Sequence, residues 1–471
     1  MTISVPTETD VLVIGAGPAG MAAATMGAAL GLKTVLLDEQ PQPGGQIYRN
    51  VSTVRPAVAK LLGPDYLHGT TLVEGMRAAG VDTRHDALVW DISRNLSVTA
   101  FANGAALQFQ APQIIAASGA LERASPIPGW TLPGVMNAGA AQIALKASGS
   151  VPAGRTVLAG GGPLLYLVAC QLLEAGADIA GIVETSPSSN RFNALRHLPK
   201  ALGAPEYLLK GLKMMAQLRR AGVPWFRNAS ALSVLGEGQA QGLLFEVGGA
   251  QHTIAADIVL LHHGVIPNTQ ISRLMRVEHV WSDAQRAFNV VCDAYGQTSL
   301  PGFRIAGDGA AIGGALSAQN SGALATLGAA LELGKLSRSD FDRLVIPYQR
   351  ARDRDLKVRP FLDALYCPPS AITEPVDEAI VCRCEEVTAG RIREMASLGC
   401  QGPNQTKFFS RCGMGPCQGR VCGSVVTQIL AKELGKTPDE IGAYRIRAPL
   451  KPVPVAAFSG LAESSDESVW H

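Results

Sequence analysis

The sequence predicts an α/β protein built from two dinucleotide-binding folds and a small carboxyl-terminal cysteine domain. An apolar strand runs into a glycine loop at residues 15–20 and is followed by an alanine-rich helix. A second strand, glycine loop and helix occur at residues 156–169. Beyond residue 380, after a charged and proline-rich segment, four cysteines form two close pairs. The order strand, glycine loop and helix is the one that binds a dinucleotide pyrophosphate.

Composition indicates a globular protein of several domains. The chain has 471 residues, of which 47% are apolar and 17% charged, and a formal net charge of +2. This charge gives no basis for binding nucleic acid, and no stretch is apolar enough to predict a transmembrane segment. The amino terminus lacks the pattern of a secretion signal, so the nine cysteines indicate reduced thiols or metal ligands. We expect a cytoplasmic protein, either free or peripheral at the inner face of the membrane.

The first glycine loop has the residues needed to hold a pyrophosphate. Gly15 permits the tight turn, Gly17 lets the backbone approach the phosphates, and Gly20 allows the helix to pack closely on the strand. The helix amino terminus adds free N–H groups and a positive dipole end. The next strand ends at Asp38, which can accept hydrogen bonds from the adenosine ribose, and Glu39 takes that role if the strand ends one residue later.

A second segment indicates FAD rather than NAD at this site. Residues 305–309 read IAGDG, in which Gly307 and Asp308 end a strand before an alanine-rich helix. An aspartate there can accept from the ribityl hydroxyls of a flavin, and the following helix can direct its positive end at the ring system. Taken alone, Asp308 is equally consistent with an ordinary helix cap.

Four motifs together carry a family resemblance. VLVIGAGPAG, DEQPQPGGQIY, ASGALERASPIPGWTLPGV and AGDG resemble two-dinucleotide-binding-domain flavoproteins, above all the larger subunits of opine oxidases, hydrogen cyanide synthase and related amino-acid dehydrogenases. The resemblance implies that Gly44, Gly45 and Gln46 approach the flavin and that residues 118–134 cross into the next domain. The predicted cofactor-binding residues are then Gly15, Gly17, Pro18, Ala19, Gly20, Asp38, Glu39, Gly45, Gln46, Gly307 and Asp308.

The second dinucleotide fold carries a degraded loop. Gly160 and Gly162 match the first two glycines, but Leu165 stands at the third position, where a side chain interferes with close helix packing. Glu184 ends the next strand and can accept from a ribose. Either NAD(P)H binds here and reduces the flavin, or the domain keeps its fold without a working nucleotide site. Leu165 favours the second interpretation. The adjacent His262 and His263 are interpreted as structural residues that point to opposite faces.

The carboxyl-terminal cysteines predict an iron–sulfur site. Cys382 and Cys384 form a C-x-C pair and Cys412 and Cys417 a C-x4-C pair. Four thiolates hold either zinc or a [2Fe–2S] cluster, but C-x-C fits zinc poorly. Arg383, Arg411 and Arg420 suit a negatively charged cluster, and Gly413 and Gly415 can turn N–H groups toward sulfur. CRCEEV and GMGPCQGR resemble the bacterioferritin-associated ferredoxin type of [2Fe–2S] domain. Cys422 can substitute as a ligand, although we expect a buried helical cysteine.

The predicted organisation assigns residues 1–125 and 270–345 to an FAD domain and 126–269 to an NAD-type Rossmann-like domain. Residues 346–376 form a linker, 377–445 a [2Fe–2S] domain, and 446–471 an extended tail. This is the two-dinucleotide-binding-domain flavoprotein fold with a small additional domain.

The combination of cofactors predicts an electron-relay subunit, because a flavin takes up two electrons together and a [2Fe–2S] cluster carries one. The resemblance implies that a smaller flavoprotein subunit, with or without a small third subunit, oxidises an amine or amino acid. This chain then passes electrons to a quinone or other carrier, and no catalytic acid or base is assigned to it. Two alternatives are an NAD(P)H-dependent reductase of a ferredoxin-like acceptor and an assembly subunit with structural cofactors.

Overall fold

The computed structural model describes residues 6–458. Residues 6–122 form a strand–helix–strand unit, a pair of helices and a set of antiparallel strands. The elements are β1 (Thr7–Glu8), β2 (Val11–Ile14), α1 (Pro18–Ala29), β3 (Thr34–Leu37), α2 (Pro56–Leu62), α3 (Pro64–Ala78), β4 (Asp82–Arg84), β5 (Leu88–Ile92), β6 (Ser97–Ala102), β7 (Ala105–Gln110), β8 (Gln113–Ala116) and β9 (Ala120–Glu122).

The middle of the chain repeats the alternation of strands and helices. Its elements are β10 (Val135–Asn137), α4 (Ala138–Ser148), β11 (Thr156–Gly160), α5 (Pro163–Glu174), β12 (Ile179–Glu184), α6 (Ser188–Leu195), α7 (Leu198–Ala201), α8 (Pro205–Arg220), β13 (Trp225–Phe226), β14 (Ser230–Leu235), β15 (Gly242–Val247), β16 (Ala250–Ala255), β17 (Ile258–His262) and β18 (Val265–Pro267).

The last third of the chain returns to the first unit and then forms the cysteine domain. Its elements are α9 (Gln270–Leu274), β19 (His279–Ser282), β20 (Ala287–Val290), β21 (Phe303–Ile305), a 3₁₀ helix (Gly307–Gly309), α10 (Ala315–Glu332), α11 (Arg338–Leu356), α12 (Arg359–Leu365), α13 (Ser370–Thr373), β22 (Ile380–Cys382), β23 (Val387–Thr388), α14 (Ala389–Ser397), α15 (Pro403–Ser410), α16 (Gly423–Glu433), α17 (Pro438–Ile441) and a 3₁₀ helix (Val455–Phe458).

Two five-stranded parallel sheets form the centres of the two dinucleotide folds. The first has the order β21-β8-β2-β3-β4 and the second the order β10-β17-β11-β12-β13. The central strands are continuously apolar because parallel sheets are covered by helices on both faces, and every residue of β2 is buried. Parallel strands bring their carboxyl ends to one edge, which is where such sheets bind ligands.

The two folds are joined by a short antiparallel pair, β9 with β18. An antiparallel sheet in the order β1-β7-β6-β5 accompanies the first fold, and β14, β15 and β16 form a three-stranded sheet beside the second. The cysteine domain has a core of its own that contains Val426, Ile429 and Leu430. Within residues 6–458, no helix combines the length and apolar character that a bilayer span requires.

The predicted linker and the predicted tail both contain more regular structure than the sequence indicated. The predicted linker, residues 346–376, is largely helical, since it contains the end of α11, α12 and α13. The predicted extended tail folds back as far as the structure describes it. The Leu450 N–H donates to the Trp90 carbonyl at 2.7 Å, and the Phe458 ring centroid lies 4.9 Å from that of Trp90. Residues 459–471 of the predicted tail lie outside the described residues.

Helix α10 packs on α1 at backbone distance. A Cβ placed on Gly322 of α10 would lie 1.9 Å from the Ala19 carbonyl oxygen, so only glycine fits. Four residues further on, the Thr326 hydroxyl donates to the Ala23 carbonyl at 2.9 Å. These contacts hold α10, which follows residues 305–309, against α1, which follows the first glycine loop.

We therefore expect Gly322→Ala to separate these helices and destabilise the first fold by about 1–3 kcal/mol, the usual cost of overpacking. The measurement is thermal unfolding together with retention of flavin on gel filtration. Gly211→Ala in α8 is the matched control, because nothing lies within 4 Å of its added Cβ. That change should stabilise helix α8 slightly, by about 0.5–1 kcal/mol. Equal behaviour of the two variants would contradict the packing argument.

Candidate functional site

The first glycine loop adopts a conformation that excludes side chains. Gly15 has a φ of +102°, and a Cβ on it would lie 2.6 Å from the Ala117 carbonyl oxygen. A Cβ on Gly20 would lie 1.7 Å from the Gly15 carbonyl oxygen. The chain therefore turns sharply from β2 into α1, and the first N–H groups of α1 are left at the carboxyl edge of the sheet, where a phosphate can accept from them.

The segment around residues 44–46 lies against this loop. The Gly44 N–H donates to the Ala16 carbonyl at 2.8 Å. A Cβ on Gly45 would lie 2.9 Å from the Gly17 Cα, and Gly45 has a φ of +59°. Two backbone segments thus form a cradle without side chains, which fits the close approach of a pyrophosphate.

Asp38 stands directly after β3 and is tied to the loop. Its carboxylate accepts from the Ala16 N–H and from the Gln40 N–H at 2.7 Å. Burial raises the pKa of Asp38, and these two N–H groups oppose that rise. A carboxylate has lone pairs beyond the two used here, so Asp38 can also accept from a ribose. Glu39 is exposed and pairs with Lys451 instead, and its predicted contact with the cofactor stays a prediction.

Gly307 and Asp308 lie at the same edge of the sheet. A Cβ on Gly307 would lie 2.9 Å from the Ala19 Cβ, so the 3₁₀ turn touches α1. The Asp308 Oδ1 accepts from the N–H groups of Gly313 and Gly314, both at 2.9 Å. Asp308 therefore orders the turn before α10. The structure brings the ends of β2, β3 and β21 together with the 44–46 segment, and this cradle fits FAD.

A buried lysine supports the 44–46 segment from α4. The Lys146 Nζ donates to the Gln46 carbonyl at 3.2 Å and to the Gln142 Oε1 at 2.9 Å. Burial lowers the pKa of Lys146 to about 7, and the nearby Arg49 adds to the effect. Sequence reasoning missed this residue because α4 belongs to the second fold and nothing local marks it as a neighbour of the first loop.

The second glycine loop keeps the expected backbone. Gly160 and Gly162 have φ values of +136° and +116°. Leu165 is fully buried in the apolar core between α4 and α5, so the fold has made room for the third-position side chain. Glu184 is also buried. Its Oε2 accepts from the Trp225 Nε1 at 3.1 Å, which leaves less of it available to a ribose.

The groove over the second loop is covered by the chain itself. The residues after α12 cross it, and the Tyr366 ring lies 3.6 Å from where a Cβ on Gly161 would stand. The Asn190 Nδ2 anchors this crossing by donating to the carbonyls of Leu365 at 3.3 Å and Cys367 at 3.0 Å. We call residues 359–367 the connector strap. The strap therefore lies beside the second glycine loop.

The two adjacent histidines face different partners. The His262 Nδ1 lies 2.5 Å from the Glu122 Oε1, and the His263 Nδ1 lies 2.7 Å from the Ser125 Oγ. Both are buried, and they do not share a site. Burial lowers the pKa of His263 to about 3, so this imidazole is neutral at physiological pH. The structural interpretation of the pair fits these contacts.

Three cysteine sulfurs meet in the core of the last domain. The Sγ atoms of Cys382, Cys412 and Cys422 all lie within 4.8 Å of one another, and all three residues are buried. Hydrogen bonds from Cys412 and Cys422 lower the pKa of Cys382. The Gly413 N–H also points at the Cys382 Sγ, at 3.5 Å, as expected for this glycine. The Tyr444 hydroxyl donates to the Cys412 Sγ at 3.4 Å.

The other two cysteines of the predicted set lie at the surface of the same domain. Cys384 is exposed and Cys417 half-buried. Burial of the sulfur raises the pKa of Cys384, and the Cys417 thiol hydrogen-bonded to it acts in the same direction. The four predicted ligands are therefore divided between two groups, and Cys422 joins the inner one.

From the sequence we expected Cys422 to be a buried cysteine within a helix. The helix, α16, begins only at Gly423, because Gly419 has a φ of +80° and interrupts the segment. Cys422 thus precedes the helix and turns into the core. The glycine between the two cysteines was the available signal.

The predicted arginines have separate partners. Arg420 donates to the Cys417 carbonyl at 3.1 Å and to the Leu450 carbonyl. The Arg383 guanidinium lies 5.1 Å from the Trp130 ring centroid, and Arg411 pairs with Glu385 at 2.8 Å. Among the three predicted arginines and within the described residues, Arg420 is therefore the one that hydrogen-bonds to a cysteine of the predicted set.

A side-chain-free pyrophosphate cradle beside a second dinucleotide fold defines an FAD-dependent oxidoreductase. The chain belongs to the pyridine nucleotide-disulphide oxidoreductase family, whose model matches residues 9–327. Residues 377–461 match a second model, the sarcosine oxidase A3 domain. The predicted fold class and the predicted class of enzyme are confirmed. The [2Fe–2S] domain of the ferredoxin type is not tested by these matches and stays a prediction.

Similar proteins agree with the resemblance to opine oxidases and hydrogen cyanide synthase. An opine oxidase subunit from Rhizobium meliloti is 43% identical over 465 residues, which cover 97% of this chain and 88% of the relative. Hydrogen cyanide synthase subunit HcnB of Pseudomonas protegens is 32% identical over 469 residues, covering 95% and 97%. The solved L-proline dehydrogenase of P. horikoshii has the same fold, with a TM-score of 0.69 at 17% identity, over 96% of this chain and 80% of that chain.

Lys146 should make the stability of the protein depend on pH. Its pKa is about 7 in the folded state against 10.5 ordinarily, so above pH 7 the unfolded state binds more protons and stability rises with pH. We expect wild type to gain about 2 kcal/mol relative to Lys146→Met between pH 7 and pH 9. Urea unfolding at both pH values measures the difference. Lys60→Met changes an exposed lysine on α2 and should not alter the dependence. A parallel pH response of Lys146→Met and wild type would show that the lysine is charged in the fold.

Proposed function

We propose that this chain is the electron-relaying subunit of a complex that oxidises an amine or amino acid. The carrying observation is that one chain combines the FAD cradle with a domain in which five cysteines lie in two adjoining groups. The relatives support the substrate class and the assembly, because they are named as subunits of opine oxidase and hydrogen cyanide synthase. A smaller flavoprotein subunit, with or without a small third one, would oxidise the C–N bond, and a quinone or other carrier would accept the electrons.

The donor set supports a [2Fe–2S] cluster in the last domain. We propose Cys382, Cys384, Cys412 and Cys417 as its ligands, with Cys422 close enough to replace one of them. Thiolates are the ligands such clusters require, and the sulfurs of Cys382 and Cys412 lie within 4.8 Å of each other. A bound flavin accepts electrons in pairs and the cluster carries them singly.

The chain's own residues would position and insulate these groups. Gly15 and Gly45 would leave room for the pyrophosphate of FAD, and Asp38 would accept hydrogen bonds from its ribose. Asp308 orders the turn toward which the flavin ring is expected to extend. Lys146 fixes the backbone of Gln46. We assign no acid or base to substrate oxidation in this chain, and in our proposal that step belongs to the partner subunit.

The test uses the intact complex, purified through a tag on this chain. We expect Cys382→Ser to leave anaerobic bleaching of flavin by the amine substrate intact but to lower steady-state reduction of a quinone analogue at least about tenfold. Cys400→Ser is the matched control, because Cys400 is buried in the same domain and its thiol, among the described residues, donates only to the Gly402 carbonyl. Full acceptor reduction by Cys382→Ser would favour an assembly role for the cysteines.

Two further measurements on the same preparations sharpen this test. Full amino-acid oxidation by the isolated chain would contradict the relay. Iron content then decides the ligand set, because replacement of a ligand by serine lowers bound iron. We compare the iron content of Cys417→Ser with that of Cys422→Ser. If only Cys422→Ser loses iron, Cys422 replaces Cys417 in the proposed set of ligands.

An NAD(P)H-dependent reductase is the second candidate, favoured by the intact backbone of Gly160 and Gly162. The connector strap and the buried Leu165 oppose it. We expect NADH and NADPH to leave the flavin of the anaerobic protein oxidised, while dithionite bleaches it. If the strap is what blocks the groove, Tyr366→Ala should bind NADH more tightly than wild type, measured by quenching of nicotinamide fluorescence. Rapid bleaching of wild-type flavin by either nucleotide would establish the reductase instead.

A further inference from the structure

Five basic side chains gather where the first fold meets the cysteine domain. Burial lowers the pKa of Arg276, and the nearby charges of the other three arginines of this group act in the same direction. Burial likewise lowers the pKa of Lys407, and the charge of Arg447 adds to that effect. We call the group the basic patch, and its members are Arg94, Arg276, Lys407, Arg445 and Arg447.

Hydrogen bonds to backbone carbonyls hold the patch in place. The Arg94 Nη1 donates to the Met275 carbonyl at 3.3 Å. The Arg276 Nη2 donates at 3.0 Å to the carbonyl of Ile446, which lies between the last two arginines of the patch. Within residues 6–458 the cations of the patch form no ion pair with a carboxylate. Like charges held together repel one another unless an anionic group offsets them, so the patch is suited to an acidic partner.

An exposed aromatic side chain borders the patch. The Arg445 N–H donates to the Asn404 Oδ1 at 2.8 Å, which puts the first turn of α15 beside the patch. Lys407 and Phe408 stand three and four positions beyond Asn404 and therefore share its side of the helix. Phe408 is 86% exposed. Arginine and aromatic side chains together are the residues that protein–protein interfaces favour.

The patch also lies one side chain away from the inner group of cysteines. The Lys407 Nζ lies 4.7 Å from the Tyr444 ring centroid, and the Tyr444 hydroxyl donates to the Cys412 Sγ at 3.4 Å. A protein bound to the patch would therefore lie close to the sulfurs for which we propose a cluster. Because electron transfer between proteins weakens steeply with distance, this is a favourable place for an electron to leave the chain.

We propose that the basic patch docks an acidic protein that carries one electron at a time. The inference rests on the proposed relay function and names the class of its acceptor. Carboxylates of the carrier would pair with Arg445 and Arg447, and Phe408 would contact its surface beside them. Complexes of electron carriers are small, and complementary charge speeds their formation. Each two-electron oxidation of the amine would reduce two carriers, which dock one after the other.

A protein is favoured over a membrane surface as the occupant. Membrane binding scales with the apolar area that is buried, and the basic patch itself contains no apolar side chain. Four of its five members are arginines, whose planar guanidinium groups suit paired contacts with carboxylates.

The test uses the intact complex and two modified forms of cytochrome c as probes. Succinylation replaces the lysine charges by carboxylates, whereas acetylation removes these charges without adding carboxylates. At an ionic strength of about 20 mM, where charges are weakly screened, we expect the oxidised succinylated form to bind at least about tenfold more tightly than the acetylated form. Calorimetric titration without the amine measures both affinities. Equal affinities would overturn the proposal.

Paired substitutions separate the patch from the overall charge of the chain. Arg445→Gln combined with Arg447→Gln should lower the affinity of the succinylated form at least about tenfold. Arg77→Gln combined with Arg220→Gln is the matched control, because it also removes two exposed arginines, one from α3 and one from α8. The control should change the affinity less than about twofold. Equal losses in the two double variants would attribute binding to net charge and contradict a specific surface.

Reduction of the probe by the amine-treated complex tests the relay separately. If the succinylated form binds at the patch but is not reduced, the relay fails while the docking surface stands. If both modified forms are reduced at equal rates, in wild type and in the patch variant alike, the relay stands and the docking proposal fails.

Two other occupants would be revealed by the same preparations. Residues 459–471 contain Glu463, Asp466 and Glu467. If a chain that ends at Phe458 bound the succinylated form at least about tenfold more tightly than the full chain, the patch would belong to that segment. Phosphatidylserine vesicles that sediment with wild type but not with the patch variant would assign it to a membrane. Either result would overturn the proposal.

Discussion

The close approach of α1 to its neighbours is the constraint on which the first fold depends. At Gly20 the helix touches the turn that precedes it, and at Gly322 a second helix reaches the backbone of Ala19. Because neither contact leaves room for a Cβ, the glycine loop, the 44–46 segment and the turn at Asp308 meet at one edge of the sheet. Packing and the cofactor cradle are therefore parts of one arrangement, and a change that loosens the helices also opens the cradle.

Local patterns predicted the parts of this arrangement that are local. The three glycines, the aspartate after β3 and the aspartate after β21 could be recognised because each role depends on a few consecutive residues. The resemblance added the 44–46 segment. Features formed by distant segments could not be recognised in this way. Lys146 reaches Gln46 from the other fold, and Tyr366 meets Gly161 across more than two hundred positions, a distance over which no periodicity carries information.

The cysteine domain shows the same limit at shorter range. Spacing predicted that Cys382, Cys384, Cys412 and Cys417 gather. The buried sulfurs that meet include only two of these, Cys382 and Cys412, together with Cys422. Spacing could not predict that Cys422 turns inward, since that depends on the glycine that delays α16. Nor could it predict the arginine partners. A cation near a cysteine in sequence was expected to face the sulfurs, but Arg383 is drawn to the Trp130 ring and Arg411 to Glu385.

The second dinucleotide fold explains why a domain keeps its architecture when its loop is degraded. Leu165 replaces the third glycine and is fully buried in an apolar core that also contains residues of α4, α8 and the second sheet. The groove then receives the connector strap, held by Asn190. The same unit supplies Trp130, whose Nε1 donates to the Ile380 carbonyl at 2.6 Å, next to the first cysteine pair. This type of fold binds nucleotides in other proteins. In this chain it attaches the strap and the cysteine domain to the first fold. This attachment gives the sheet of the second fold a structural role whether or not a nucleotide binds to it.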